Sequence, residues 1–363
     1  MEFRDIKFDC KYFRGEIPCS PNKSRNKICL DCDEYTPVKT KILIIKLGAL
    51  GDVIRTTPLV VKYRELFPNS HISWVTLSPD ILPKDSIDKI YKFSFDAVYA
   101  LTHQRFDIAI NLDKEIEACS LLADVNADKK FGFTWNKEKD HIDVATPAAT
   151  HKLITGLFDN ISIRNNKSYL EEIFEICELT FNYEPYLLNV NKDLVTKWNV
   201  LKEKADGKKI VGLNTGCGKR WMTRLWPADY WIELVKQLQK NNYFPVLLGG
   251  ADEDAQNKIY ATNTEAFYPG TFSLEEFIGL TANCDVIVSA VSMMMHIAVG
   301  LKKPLVLFNN IFNKHEFELY GRGKIVEPST GCDCYYGNTC KREHHCMNDI
   351  PVMQVYDAIL QCT

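Results

Sequence analysis

A carboxylate follows a glycine-rich turn near the start of the chain. Asp52 closes the run GALGD at 48–52, directly after the apolar stretch 41–46. Glycines after a strand let the backbone turn tightly and let a ligand approach it. A carboxylate in that place could take the proton from a hydroxyl group as a general base, or it could only cap the helix that follows. The run matches neither the dinucleotide-binding pattern nor a P-loop.

Three cations lie beside glycines in the second half of the chain. Lys219, Arg220 and Arg224 belong to the run GCGKRWMTRLWP at 216–227, between a predicted strand and a predicted helix. Cations beside a glycine turn at the carboxyl end of a strand suit a diphosphate. The alternative is a solvated basic loop whose two tryptophans pack in the core, and we favour the diphosphate site.

A third candidate is the run SAVSMMMH at 289–296, which leaves a predicted strand and enters a predicted helix. The free N–H groups and the positive end of the helix dipole favour a phosphate by ~0.3–1 kcal/mol. Three consecutive methionines are more typical of core packing than of a binding site. His296, one turn into the helix, is either a structural histidine or part of the phosphate site, and both interpretations stay open.

Eight of the 13 cysteines fall into two clusters, at 10–32 and at 332–346. Their members are Cys10, Cys19, Cys29 and Cys32 in the first, and Cys332, Cys334, Cys340 and Cys346 in the second, beside His344 and His345. Four thiolates can hold Zn²⁺ or iron tetrahedrally, so we expect a structural metal at each cluster. The spacing matches no haem or ferredoxin pattern, which leaves zinc and iron both open. Exposed cysteines, disulfides and one site shared by both clusters are the alternatives.

Composition excludes several classes of protein. The 363 residues include 44 Lys and Arg and 47 Asp and Glu, a net charge of −3, which argues against a nucleic-acid-binding protein. Hydrophobic residues make up 46% of the chain, enough for sizeable cores. No apolar run approaches the ~18 residues of a membrane span, and the start carries charges of both signs, unlike a signal peptide. We therefore expect a cytoplasmic protein.

Strands and helices alternate twice along the chain. The predicted strands are 41–46, 71–76, 97–100, 107–111, 209–213, 244–248, 285–289 and 304–308, and the main predicted helices are 53–66, 228–240, 274–284 and 293–300. Such alternation predicts α/β structure with two doubly wound domains, at 41–190 and 208–330. A Cys-rich arm at 1–40 would precede them, and a Cys-rich segment with a C-terminal helix would follow at 331–363. Ligands of such sheets bind at the carboxyl ends of the strands.

Three of these runs together resemble glycosyltransferase family nine: ILIIKLGALGDVIRTTP at 42–58, TRLWP at 223–227, and the segment 292–296. That family contains the ADP-heptose-dependent heptosyltransferases of lipopolysaccharide core assembly and related protein heptosyltransferases. The resemblance implies a GT-B fold, in which two Rossmann-like domains face each other across a cleft. The first would hold the acceptor and the second the nucleotide sugar. It further implies inversion at the anomeric carbon, with no metal in the reaction centre.

The resemblance also implies roles for individual residues. Asp52 matches the general base, and Gly48 and Gly51 match the turn beside it. Residues that match the donor site, or that lie beside it, are Gly51, Lys219, Arg220, Arg224, Gly250, Glu253, Ser292, Met293, Met294 and His296. Val291 stands where the family usually has an Asp that touches the donor sugar, and Met293 stands where Gly is common. A heptose is expected, but another sugar stays open.

The acceptor is not readable from the sequence. A hydroxyl of lipopolysaccharide core and a hydroxyl of a protein are both open, with a peripheral contact to a membrane-borne acceptor in the first case. The second Cys cluster resembles in position the iron-binding cysteine finger of some autotransporter heptosyltransferases. The rival hypotheses are another enzyme on the same fold, such as an epimerase, and a degenerate GT-B protein that acts as a metal-stabilised binding adaptor.

Overall fold

The computed structural model describes residues 1–362, and the chain divides into two compact units. The first unit comprises residues 1–48, 57–150 and 174–179, and the second comprises 49–56, 151–173 and the chain from 180 onward. The short stretch 49–56, which carries Asp52, therefore packs with the second unit. None of the helices in residues 1–362 has the length and apolarity that crossing a bilayer requires.

The first unit is built on a six-stranded sheet with the order β3-β2-β1-β4-β5-β6. The strands are β1 (Thr40–Ile45), β2 (Ser70–Thr76), β3 (Lys89–Lys92), β4 (Arg105–Asn111), β5 (Asn126–Asn136) and β6 (His141–Val144). All neighbours are parallel except β5 and β6. The central strand β1 is fully buried over its apolar part, as expected for a parallel strand covered on both faces.

The second unit is built on a five-stranded, wholly parallel sheet with the order β11-β10-β9-β7-β8. The strands are β7 (Lys209–Asn214), β8 (Tyr243–Leu248), β9 (Val286–Ala290), β10 (Leu305–Phe308) and β11 (Gly323–Val326). Trp226, Trp231 and Phe308 form an aromatic group in its core, with ring centroids 5.0–5.7 Å apart.

Fifteen α-helices lie within residues 1–362. They are α1 (Ser20–Arg25), α2 (Leu50–Thr56), α3 (Pro58–Leu66), α4 (Phe95–Thr102), α5 (Ile116–Asp124), α6 (Thr150–Leu157), α7 (Asp159–Ser162), α8 (Tyr169–Ile176), α9 (Lys192–Lys197), α10 (Val200–Ala205), α11 (Ala228–Lys240), α12 (Asp254–Thr264), α13 (Leu274–Thr281), α14 (Met293–Gly300) and α15 (Val352–Cys362).

Two sequence predictions of local structure need correction. Residues 97–100, expected as a strand, lie in helix α4. The Ser94 hydroxyl caps that helix by accepting from the N–H of Ala97, and the i,i+4 pair Ala97 and Leu101 is buried on one face. The helix expected over 53–66 is divided into α2 and α3, because Pro58 has no N–H to continue the helical ladder.

The order of the second sheet determines where its loops meet. Strands β8, β7 and β9 are neighbours and parallel, so their carboxyl ends lie at one edge of the sheet. The loops that leave these ends are 215–227, 249–253 and 291–292. They contain six of the residues that the sequence analysis assigned to the donor, namely Lys219, Arg220, Arg224, Gly250, Glu253 and Ser292. Met293, Met294 and His296 lie in helix α14, which follows the third loop.

Candidate active site

A cavity of about 610 Å³ opens at this edge of the second sheet. The residues from the sequence prediction that line it are Lys219, Arg220, Arg224, Gly250, Glu253, Ser292, Met293 and Met294. Ala49 and Leu50, at the beginning of α2, line it as well. The structure thus brings the two predicted donor runs together and adds the start of the helix that carries Asp52.

Glu253 explains two of the glycines around the cavity. A Cβ atom at Gly216 would lie 1.9 Å from Glu253 Oε1, and one at Gly249 would lie 2.6 Å from Glu253 Cβ. The N–H of Gly250 donates to Glu253 Oε2 at 2.9 Å. The carboxylate is therefore held between the loops after β7 and β8, where it can accept hydrogen bonds from hydroxyl groups of a ligand.

Arg224 connects two of the loops. Its guanidinium donates to the carbonyl oxygens of Trp221 (3.1 Å), Val291 and Cys217, and only 7% of the residue is exposed. Burial lowers the pKa of Arg224 from its ordinary value. The side chain lines the cavity, but three of its donor contacts go to backbone carbonyls of the protein, a bracing role that its sequence context did not signal.

The other two predicted cations are more exposed. Lys219 forms an ion pair with Asp252 at 2.8 Å, and this hydrogen bond raises the pKa of Lys219. The guanidinium of Arg220 lies over the ring of Trp221, 4.3 Å from its centroid. Both side chains belong to the cavity lining and can turn toward an anion there.

Helix α14 begins at the cavity and packs against helix α2. Ser292 is its N-cap residue, and the first N–H groups of an α-helix lack intrahelical partners, so they can bind an anion. One turn further in, His296 is buried against Gly51: a Cβ on Gly51 would lie 2.6 Å from His296 Cδ2. Burial and, to a smaller extent, the charge of Arg55 lower the pKa of His296 to about 3. His296 is therefore neutral at physiological pH.

Asp52 forms an ion pair one turn along its own helix. Arg55 Nη2 donates to Asp52 Oδ1 at 2.8 Å, and the Asp52 side chain keeps 33% of its surface exposed. The Arg55 guanidinium stacks on the ring of Tyr169, 3.4 Å from the centroid. Burial by itself would lower the pKa of Arg55, but the charge of Asp52 and of other neighbours outweighs it, so the pKa of Arg55 is raised. The sequence analysis missed Arg55, although the i,i+3 spacing from Asp52 is a usable signal for a helical ion pair.

Within the described residues, no three His, Cys, Asp or Glu side chains are arranged to hold a metal ion, and all the cysteines are free thiols. Some cysteine side chains of the second cluster nevertheless lie close to one another. The Sγ atoms of Cys332 and Cys346 share a hydrogen bond at 3.6 Å, and this contact lowers the pKa of Cys346 to about 6. Backbone N–H groups also donate to sulfur, from Cys334 to Cys332 and from Lys341 to Cys334.

The first cluster lies in the N-terminal arm. Its four thiols all border one cavity of about 210 Å³, and each is half-buried. The short helix α1 is the α-helix of this arm.

The sequence model of glycosyltransferase family 9 (heptosyltransferase) matches residues 96–321, which is more than half of the chain. The chain belongs to glycosyltransferase family 9. The match includes the loops after β7, β8 and β9, and it excludes both cysteine clusters.

Curated members of the family are similar to part of this chain. Lipopolysaccharide heptosyltransferase 2 of Salmonella typhimurium is 31% identical over 160 residues, and that of Escherichia coli is 38% identical over 160 residues. Each alignment covers 41% of this chain and 44% of the relative. The chain thus spans less than half the length of the curated relatives that it matches.

Solved structures of glycosyltransferases share the fold. The family 9 glycosyltransferase of Veillonella parvula superposes with a TM-score of 0.67 at 18% identity, covering 89% of this chain and 97% of that one. TibC of enterotoxigenic E. coli, described as an iron-containing dodecameric glycosyltransferase, gives 0.54 at 14% identity over 89% and 76%. TibC has also been solved with ADP-D-β-D-heptose. The expectation of two α/β domains of the GT-B type is confirmed.

Proposed function

We propose that the protein is an inverting glycosyltransferase that moves a heptose from ADP-heptose to a hydroxyl group of lipopolysaccharide core or of a protein. One observation carries this proposal. Helix α2, which bears Asp52, packs against helix α14, whose first turn borders a cavity lined by cations. In this proposal, Asp52 as the general base and the diphosphate site would lie side by side within one unit.

The cavity suits a nucleoside diphosphate sugar. Its volume of about 610 Å³ falls within the ~300–1,000 Å³ typical of ligand pockets. The diphosphate would lie at the start of α14, with Lys219 and Arg220 turned toward it, while Arg224 keeps the two loops in register. Glu253 would accept from the ribose hydroxyls. The complex of TibC with ADP-D-β-D-heptose supports the choice of donor.

In the proposed reaction Asp52 takes the proton of the acceptor hydroxyl as its oxygen attacks the anomeric carbon. The bond from that carbon to the diphosphate oxygen breaks, and ADP leaves from the opposite side, which inverts the configuration. Lys219, Arg220 and the N–H groups of α14 would stabilise the negative charge that develops on the diphosphate. Because this charge is met by groups of the chain, the proposal includes no catalytic metal.

We further propose that the cysteine clusters bind structural zinc or iron. Sulfur atoms that share a tetrahedral Zn²⁺ at ~2.3 Å lie about 3.8 Å apart, and those of Cys332 and Cys346 are 3.6 Å apart. The N–H donors to Cys332 and Cys334 would stabilise thiolates. In the arm, Cys10, Cys19, Cys29 and Cys32 border one cavity. The iron in TibC, which shares the fold, supports the proposal of a metal in this chain.

Elemental analysis tests the metal proposal cluster by cluster. The purified protein should contain about one equivalent of zinc or iron per occupied cluster, and Cys346→Ser should remove one equivalent without affecting the other. Cys32→Ser should do the reverse. A metal-free wild-type protein, purified without chelators under reducing conditions, would contradict it.

The acceptor decides where the enzyme works. With lipopolysaccharide core as acceptor, the protein would act from the cytoplasm and touch the membrane only peripherally at its substrate. No nucleic acid takes part in the proposed reaction.

A donor screen tests the proposed function. The protein is incubated with a panel of nucleotide sugars, and the slow hydrolysis of the donor is followed by mass spectrometry. We expect ADP release from ADP-heptose, and thermal stabilisation by ADP in excess of that by UDP or GDP. If no nucleotide sugar is bound or hydrolysed, the proposal is wrong.

A further inference from the structure

The loop 215–227, here the donor loop, carries the cavity cations but has little regular structure of its own. Its one helical element is the 3₁₀ turn Met222–Arg224. A loop of this kind holds its shape through side-chain contacts with its surroundings. Those contacts therefore decide whether Arg220 and Arg224 are in place before a ligand arrives.

Thr223 makes two contacts of this kind. Its hydroxyl donates to the carbonyl of Gly337 at 2.9 Å, and its own carbonyl accepts from Asn310 Nδ2 at 2.7 Å. The residue is 5% exposed and immediately precedes Arg224. The side-chain hydroxyl and the backbone carbonyl of Thr223 are thus both hydrogen-bonded to residues outside the donor loop.

The anchor is the segment 331–350, here the cysteine segment. The N–H of Gly337 donates to Cys334 O at 2.7 Å, so the carbonyl that Thr223 contacts belongs to a turn begun by a cysteine. Asn310 Nδ2 also donates to Cys346 Sγ at 3.5 Å. Asn310 therefore contacts both the donor loop, through Thr223, and the cysteine segment, through Cys346.

The contact extends along the donor loop. Trp226 Nε1 donates to Ile350 O at 2.9 Å, at the far end of the cysteine segment. Trp221 packs edge-on against Tyr336, with ring centroids 5.7 Å apart. Before the 3₁₀ turn Cys346–Asp349, the segment contains no regular element among the described residues, so its own order depends on its turns and its thiol contacts.

We propose that the cysteine segment positions the donor loop, and that Thr223 is the positioning residue that couples the two. An ordered segment would hold the loop in its ligand-binding shape, so that less ordering remains to be done when the nucleotide binds. Because coupling between sites is reciprocal, a bound nucleotide should also order the cysteine segment. The inference rests on the proposed function only in taking the donor loop as part of a nucleoside diphosphate site.

Substitutions at Thr223 test the coupling, with ADP as the probe. Thr223→Val keeps the shape but removes the hydroxyl and leaves Gly337 O without this donor. We expect ADP to bind about five- to tenfold more weakly by calorimetry, the effect of one lost hydrogen bond. Thr223→Ser should bind like the wild type. Thr264→Val is the matched control, because Thr264 is equally buried and donates to Tyr260 O in the same unit but not to the donor loop.

Hydrogen exchange distinguishes coupling from a purely structural role of Thr223, because only coupling makes the exchange rate of the cysteine segment depend on ADP. ADP should slow amide exchange over 334–341 in the wild type and in Thr264→Val, but not in Thr223→Val. Should Thr223→Val fail to fold, Asn310→Ala removes the parallel contact and should give the same two results. The inference is wrong if a folded Thr223→Val protein binds ADP with unchanged affinity, or if ADP slows exchange over 334–341 equally in that variant and in the wild type. Neither result would contradict the proposed function. A wild-type protein that binds no nucleoside diphosphate would overturn the proposed function, and this inference with it.

Discussion

Replacing Gly51 by Ala perturbs the contact between helix α2, which carries the proposed base Asp52, and helix α14. The new Cβ would lie 2.6 Å from His296 Cδ2 and 3.2 Å from His296 Nε2. The imidazole cannot easily turn aside, because it is buried and stacked on Tyr186 with ring centroids 6.2 Å apart. Helix α2 must therefore move away from α14 by about 1 Å to restore ordinary van der Waals separation.

The two expected effects differ in size. Overpacking a core costs ~1–3 kcal/mol, and replacing a helical glycine recovers ~0.5–1 kcal/mol, so we expect Gly51→Ala to lose about 1–2 kcal/mol of unfolding free energy. A displacement of about 1 Å in a catalytic group lowers a rate by ~10²-fold. Donor turnover should thus fall far more than stability, because Asp52 moves with the helix.

Urea unfolding and ADP release measure the two effects separately. Gly48→Ala is the matched control, since a Cβ there would meet only Leu77 Cδ1, at 4.0 Å. In a double-mutant cycle, His296→Ala should relieve the cost of Gly51→Ala, which gives a favourable coupling energy. Gly51→Ala protein with wild-type stability and turnover would refute the reasoning.

Two further predictions concern the groups beside Asp52. Arg55→Gln should lower the unfolding free energy by about 1–3 kcal/mol, because it leaves the partly buried Asp52 carboxylate without its guanidinium, and Arg55→Lys should recover part of the loss; equal stability of all three proteins in urea would contradict this. The pKa of His296, lowered to about 3 in the folded protein, lies below its value of ~6.5 in the unfolded chain. The unfolded state therefore binds more protons between these pH values, and stability falls as the pH drops from 6.5 toward 3, by about 2 kcal/mol at pH 5. His296→Gln should remove this part of the pH dependence in unfolding titrations, and an unchanged slope would show that His296 is not buried and neutral.

The sequence predicted the strands and helices of the second sheet well. Continuous apolar runs between turn residues define β7 to β10, and helices α11 and α14 begin and end where their patterns predict. These elements are set by local periodicity and by nearby breakers such as Pro227. The error at 97–100 arose because four apolar residues cannot by themselves distinguish a strand from one face of a helix.

Contacts between distant parts of the chain could not be predicted. The packing of Gly51 against His296 joins two runs that are far apart in sequence, and only the fold brings them together. The three carbonyl partners of Arg224 are likewise set by tertiary structure. In the sequence, an arginine beside a glycine turn predicts an anion site whether its guanidinium binds a ligand or the backbone of the protein. The dependence of the donor loop on the cysteine segment has no sequence signature either.

The most direct test of the central claim is the activity of Asp52→Asn. This substitution keeps the shape of the side chain and a hydrogen-bonding oxygen for Arg55, but it removes the base. We expect ADP to bind within about twofold of the wild-type affinity, while ADP release from ADP-heptose falls by ~10²–10⁴-fold. Wild-type turnover by Asp52→Asn would contradict the assignment of Asp52 as the general base.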